Sequence, residues 1–297
     1  FGSSSSSGAP RAMVLPRPLA LLACLSLPVP LQRAAAWEGQ GAADGRRVRG
    51  RHAHWVLRTA DLRRSLDFYR QVFGMRVLRH EENPEACPIT CNGRYQTAWS
   101  KTMVGYGTED VSYALELTYN YGVTSYAPGE ALEAIFLRPP LPLEDALRAH
   151  GALGGDPPER RDGAVFVRGP DGYLFGLLPP DGRERERAEP FAYVALRVAD
   201  PGASARFYAG LLGMEERPEV VLPAALGAGR AVGYVAAPGA SSVPLVLLPS
   251  PHGRPVRVEQ WEGRHAVSLP AAALRGVHAR LAAEAPWAVV HGLRELD

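Results

Sequence analysis

From Arg58 to Met75 the chain reads RTADLRRSLDFYRQVFGM, and 139 residues later, from Arg197 to Met214, it reads RVADPGASARFYAGLLGM. Eight of the eighteen positions are identical, with Arg, Ala, Asp, Ser, Phe, Tyr, Gly and Met all in register. Both copies carry the marks of a capped helix. Asp61 and Asp200 suit the N-cap, and Pro201 takes the first helical position, where proline costs no hydrogen bond. Leu62, Leu66, Tyr69, Val72 and Phe73 recur at helical spacing, and Gly74 and Gly213 follow the last turn. A capped helix repeated with its flanks implies a fold built by duplication.

Before the first helix comes RHAHWVLRT, in which Arg51 to Arg58 read as a strand with His52, His54, Val56 and Arg58 on one face. Beyond the helix, Met75–Leu78, Thr102–Tyr106 and Val111–Asn120 read as strands, completing a βαβββ unit. A loop of about twenty residues from His80 to Trp99 interrupts it, and connections that long inside a domain generally mark function. The last strand continues into ELTYNYGV (Glu116–Val123), where Tyr113, Leu115 and Leu117 share one face and Ala114, Glu116 and Thr118 the other. A lone strand Glu is ordinarily solvated. His54 changes that reading: on a neighbouring strand, ~4.8 Å away, its ring would face one cavity with Glu116. An imidazole and a carboxylate suit a divalent metal, or else form a hydrogen-bonded polar pair.

Between the two copies, Ala134–Leu137, a helix over Leu143–His150, Ala164–Arg168 and Tyr173–Leu178 form a degenerate copy, with a hairpin turn at Pro170-Asp171-Gly172. The charged run Asp181–Glu189 reads as a linker. The expected fold is therefore α+β, with repeated βαβββ modules in two tandem domains, 51–180 and 190–297. The second domain is expected to be incomplete at its C-terminus and the less protease-resistant half, because only Trp287–Asp297 follow a helix placed at Ala271–Ala285.

Composition narrows the function. A net charge of +2, with no basic run interleaved with aromatics, argues against nucleic acid. The apolar run Leu19–Leu27 is too short to span a membrane. No nucleophile elbow and no glycine-rich phosphate loop follows a strand. Cys24, Cys87 and Cys91 are too few for a disulfide framework and lack zinc-finger spacing, so plain thiols in a reducing compartment are expected. Residues 1–50 read as a disordered, transit-like leader: a serine tract at Ser3–Ser7, Arg11, Arg17 and Arg33, and no acidic residue before Glu38. A mitochondrial or cytoplasmic location follows, with a secretory signal as the competing reading.

The strings HWVLRT, DFYRQVFGM, VGYG, ELTYNYGV and PDGY, in that order, resemble the glyoxalase I branch of the vicinal oxygen chelate superfamily. The resemblance covers Arg51 to about Leu178 strongly and the chain from Pro190 more loosely. It implies modules that pair within each domain into cupped sheets, and four ligands holding Ni or Zn that polarise a hemithioacetal while a carboxylate moves a proton. The four ligand places fall on His54, Glu116, Ala134 and Gly176, and in the second domain on Tyr193, Val246 and Arg264, with no fourth. Pairing across domains, as in some members, would bring Arg264 and its neighbours to His54 and Glu116 and leave Ala134, Gly176, Tyr193 and Val246 together. His265 would face the cup only through a bulge or a register slip. Two functions are expected from the resemblance. One is a non-catalytic protein with a degenerate metal site, binding a small molecule in its cup or a protein partner, or forming a homodimer. The alternative is a metal-dependent glyoxalase I-like lyase or isomerase acting on a small thiol adduct. The cofactor is accordingly none, or a weakly bound Ni or Zn.

Overall fold

The computed structural model describes residues 21–25, 48–161, 163–182, 188–251, 254–289 and 291–293. A short strand, β1 (Leu21–Leu25), precedes the first module, which comprises β2 (Arg51–Thr59), α1 (Leu62–Phe73), β3 (Arg76–Asn83), β4 (Trp99–Gly105) and β5 (Ala114–Asn120). The second comprises β6 (Leu132–Leu137), α2 (Leu143–Ala152), β7 (Glu159–Arg161), β8 (Ala164–Arg168) and β9 (Leu174–Leu177). The third comprises β10 (Phe191–Val198), α3 (Pro201–Leu212), β11 (Glu215–Glu216), β12 (Arg230–Gly233) and β13 (Leu245–Pro249). Then β14 (His265–Leu269) and α4 (Ala271–Glu284) repeat the opening of the unit. No helix among the described residues is long and apolar enough to cross a membrane.

The helices of the sequence repeat start and stop for the same reasons. Asp61 and Asp200 accept from the backbone N–H three residues on, at Arg64 and Ala203. Gly74 and Gly213 close the two helices at φ 70° and 72°, where a side chain would be strained. Both helices bury aromatic faces. Phe68, Tyr69 and Phe73 of α1 surround Phe175 of β9 at ring separations of 5.0–5.8 Å, which ties the first module to the second.

Sheet pairing crosses the expected domain boundary. One sheet runs β1-β14-β2-β5-β4-β3 and the other β11-β12-β13-β10-β6-β9-β8-β7. The first module thus shares a sheet with β14, and the second with the third, so the pairing expected within each domain is corrected to pairing between them. The seams are the antiparallel ladders β14–β2 and β10–β6. Each sheet turns one face toward the helices, and these two faces join in a single apolar core from Trp55 and Leu117 to Ile135, Val194 and Leu247. The opposite face of each sheet is a cup.

Four further expectations change. Leu21–Leu25, assigned to a leader outside the fold, pairs antiparallel with the edge of β14; the rest of the leader before residue 48, and the middle of the linker, lie outside the described residues. β3 extends to Asn83 and β4 begins at Trp99, which shortens the long loop to 84–98. Cys87 and Cys91 are joined as a disulfide across a Cα–Cα distance of 5.4 Å, not left as thiols. Finally, Ala53 is an extra residue on β2, because Ala266 pairs with His54 but Val267 with His52. That bulge turns His52 off the face of His54 and into the core, where its ring lies 4.3 Å from that of His265.

Candidate functional site

The parallel ladder β2–β5 sets Val56 opposite Glu116 and His54 opposite Ala114, so the two candidate side chains sit on adjacent strands of one cup. His54 Nε2 lies 3.3 Å from Glu116 Oε2, within the spacing expected from parity, although the ring nitrogen has no well-aligned hydrogen bond. Both are buried, at 5 % and 7 % exposure. Thr118, one pleat along β5, donates its hydroxyl to Glu116 Oε1 at 3.2 Å. Burial works to raise the Glu116 carboxyl, but His54, Lys101 and Arg58 outweigh it and hold the group below its ordinary value. It therefore carries its charge inside the cup.

Two arginines share this face. Arg58 is 2 % exposed and donates to the carbonyls of Gln260 at 3.4 Å and Cys91 at 3.2 Å. Arg264, just before β14, donates to the Ile89 carbonyl at 3.3 Å and to the carbonyl and hydroxyl of Thr90. The loop 84–98 therefore lies over the cup and supplies acceptors to both cations. Burial lowers the affinity of Arg58 for its proton, and Arg264 adds to that. Tyr173 braces Arg58 from the second module: its hydroxyl meets the Arg58 N–H and carbonyl at 2.8 and 3.0 Å, and its ring stacks on Trp261 at 4.2 Å. Sequence reasoning put Arg58 on the right face and Arg264 at a ligand place but did not foresee their bonds to the loop. The loop's length was the available signal.

The cross-domain pairing decides the third ligand place. In the β14–β2 ladder Ala266 stands opposite His54, while His265 stands opposite Trp55 and points into the core. The bulge at Ala53 lies beyond this point and does not bring His265 to the cup. Among the described residues no three or more His, Cys, Asp or Glu side chains come together. An imidazole, a carboxylate and two guanidinium groups do not match the three protein donors on which a catalytic zinc rests, and the fixed positive charge opposes a cation.

The other cup is closed. Ala134, Tyr193 and Val246 lie in one buried apolar cluster with Phe136, Phe166 and Leu248. At Gly176, the remaining ligand place, an added Cβ would strike the Phe136 ring, which stacks on Tyr193 at 4.5 Å. A cleft of about 660 Å³ opens at the end of this sheet, away from His54 and Glu116. Two of its arginines are neutralised in place, Arg197 by Glu133 at 2.8 Å and Arg254 by Glu130 at 2.9 Å.

Comparison with known proteins agrees with this architecture. The chain is 36% identical over 168 residues to "Glyoxalase domain-containing protein 4" of Rattus norvegicus, covering 57% of this chain and 54% of that protein. It is 37% identical over 180 residues to "Lactoylglutathione lyase GLX1" of Arabidopsis thaliana, covering 57% of this chain and 58% of that one. The matches thus span little more than half the length of these relatives. Among solved structures, a point mutant of glyoxalase I from Zea mays superposes with a TM-score of 0.57 at 25% identity, over 79% of this chain and 80% of that one. The model of one superfamily matches residues 51–177 and 191–286, which include β2 to β9 and nearly all of the third and fourth repeats. The chain belongs to the Glyoxalase/Bleomycin resistance protein/Dioxygenase superfamily.

Proposed function

We propose that this protein is a glyoxalase-type binding protein whose first cup, covered by the loop 84–98, has lost its metal chemistry and holds a small molecule. The observation that carries this reading is Arg264 beside Val56 and Ala266 opposite His54 on the cup face of the neighbouring strand: the pair His54 and Glu116 is kept, but that strand offers a guanidinium and a methyl group where a third donor is needed. The positive charges of Lys101 and Arg58 then favour the ionised Glu116 carboxylate in place of a metal.

The experiment is elemental analysis of the purified protein, with an assay for lactoylglutathione formation from methylglyoxal and glutathione. The expected result is no stoichiometric Ni or Zn and no activity above background. One tightly held equivalent of metal, lost in His54→Ala, would overturn the proposal. It would favour the second reading, a glyoxalase I-like lyase acting on a small thiol adduct. The 3.3 Å spacing of His54 and Glu116 supports that alternative, as does the likeness to a relative named as a lactoylglutathione lyase.

A further inference from the structure

The tip of the loop over the first cup is a five-residue ring closed by the bond between Cys87 and Cys91. Within it the Thr90 N–H donates to the Cys87 carbonyl at 2.9 Å, and Thr90 sits at φ 58°, the only non-glycine with positive φ among the described residues. This conformation turns three successive carbonyls, Ile89, Thr90 and Cys91, toward the two buried guanidinium groups of Arg264 and Arg58. Asn92 fastens the base of the ring: its Oδ1 accepts from the Cys87 N–H at 3.1 Å, and its Nδ2 donates to Asn120 Oδ1 at 2.9 Å. Asn120 lies on the same face of β5 as Glu116, two pleats along. Asn92 is fully buried, whereas both cysteines are half-buried.

We propose that Cys87 and Cys91 form a thiol–disulfide exchange site whose redox state decides whether the loop holds the cup shut over His54 and Glu116. The co-reactant is a low-molecular-weight thiol. One small thiolate attacks a cysteine Sγ, the protein S–S bond breaks, and a mixed disulfide forms. A second small thiolate attacks the small-molecule sulfur of that mixed disulfide and releases the cysteine. Two electrons pass from the small thiols to the protein, the two thiol protons end on Cys87 and Cys91, and one small-molecule disulfide leaves. Opening the ring removes the constraint that holds three carbonyls in one direction, so Arg58 and Arg264 lose the acceptors that the ring supplies and the loop tip is no longer drawn onto the cup. Access to the cup is governed in this way whichever molecule the cup takes.

The test uses the full chain carrying Cys24→Ser, which removes the third thiol, titrated with dithiothreitol. Mass spectrometry of the peptide spanning 84–98 follows the Cys87–Cys91 bond, and hydrogen exchange follows the Thr90 and Gly93 amides, which donate to the Cys87 and Thr90 carbonyls. The expected result is exchange at both amides faster by about tenfold or more in the reduced protein, with α1 unchanged. Cys87→Ser should show the fast exchange without reductant. Unchanged exchange on reduction, or two free thiols in protein purified without reductant, would overturn the proposal. The titration of the unsubstituted pair decides the matter even if Cys87→Ser fails to fold.

Discussion

Ala266 and His54 face each other across the antiparallel ladder between β14 and β2, and both lie on the cup side of their strands. One residue earlier on β14, His265 faces Trp55 on the core side. A single step of the chain thus separates a buried core imidazole from a place beside His54 and Glu116.

That relationship makes a gain-of-binding prediction. Ala266→His would add an imidazole beside the existing pair, raising the donor count from two to three. Affinity for Zn or Ni should rise by about a hundredfold, read by competition against a chromophoric chelator. Unchanged affinity in a variant with native circular dichroism would mean that position 266 does not face His54.

Gly263 makes a stability prediction. It has φ 67°, and a Cβ there would fall on the Val56 carbonyl, so the chain entering β14 passes directly against β2. Gly122 has φ 82° but open space around it. Gly122→Ala should cost about 1 kcal/mol, from strain alone, and Gly263→Ala about 3 kcal/mol or more, since strain and a backbone collision act together. Urea denaturation of the two variants checks the difference, and equal losses would refute the close approach.

The buried histidines predict acid sensitivity. Neither ring nitrogen of His52 is hydrogen-bonded. Burial, with Arg217 adding, pushes His52 down to about 3, and burial, with His52 and His54 adding, pushes His265 well below its usual value. The unfolded chain takes up these protons near pH 6.5 and the folded chain does not. Stability is therefore fully present above that pH and falls as pH drops toward about 3, by up to about 1.4 kcal/mol per pH unit for each group. His265→Leu should roughly halve this part of the slope between about pH 6 and 4. Glu189 acts with the opposite sign: burial raises it to about 7 despite the N–H groups of Tyr113 and Phe191. Its contribution is present below pH 4.5 and is lost as pH rises through about 7, so Glu189→Gln should flatten the neutral limb. Denaturation midpoints across this range measure both effects.

Shared sheets predict cooperative unfolding. β10 lies between β13 and β6, and β2 between β14 and β5, so each half of the chain completes the other's sheets. Tryptophan fluorescence and far-ultraviolet circular dichroism should give coincident transitions. A fragment of residues 51–180 alone would expose the edges of β2 and β6 and should aggregate. Early digestion of the second half to leave a resistant 51–180 core, the outcome expected from the sequence, would instead show that the seams are weak.

The modules were legible in the sequence. Helix caps at Asp61 and Asp200, closing glycines at Gly74 and Gly213, and strict alternation along ELTYN are local signals, set by hydrogen bonds and side-chain parity within a few residues. The same parity brought His54 and Glu116 to one face, and the constant repeat spacing exposed the duplication. The folded chain settled which modules share a sheet, because edge strands of similar pattern can pair in more than one way. It also decided what no local pattern encodes. A bulge at Ala53 sent His52 into the core, Ala266 rather than His265 came to face His54, and the loop 84–98 folded back so that its carbonyls met Arg58 and Arg264. Each of these depends on contacts between residues far apart in the chain, whose register is fixed only when the sheets close.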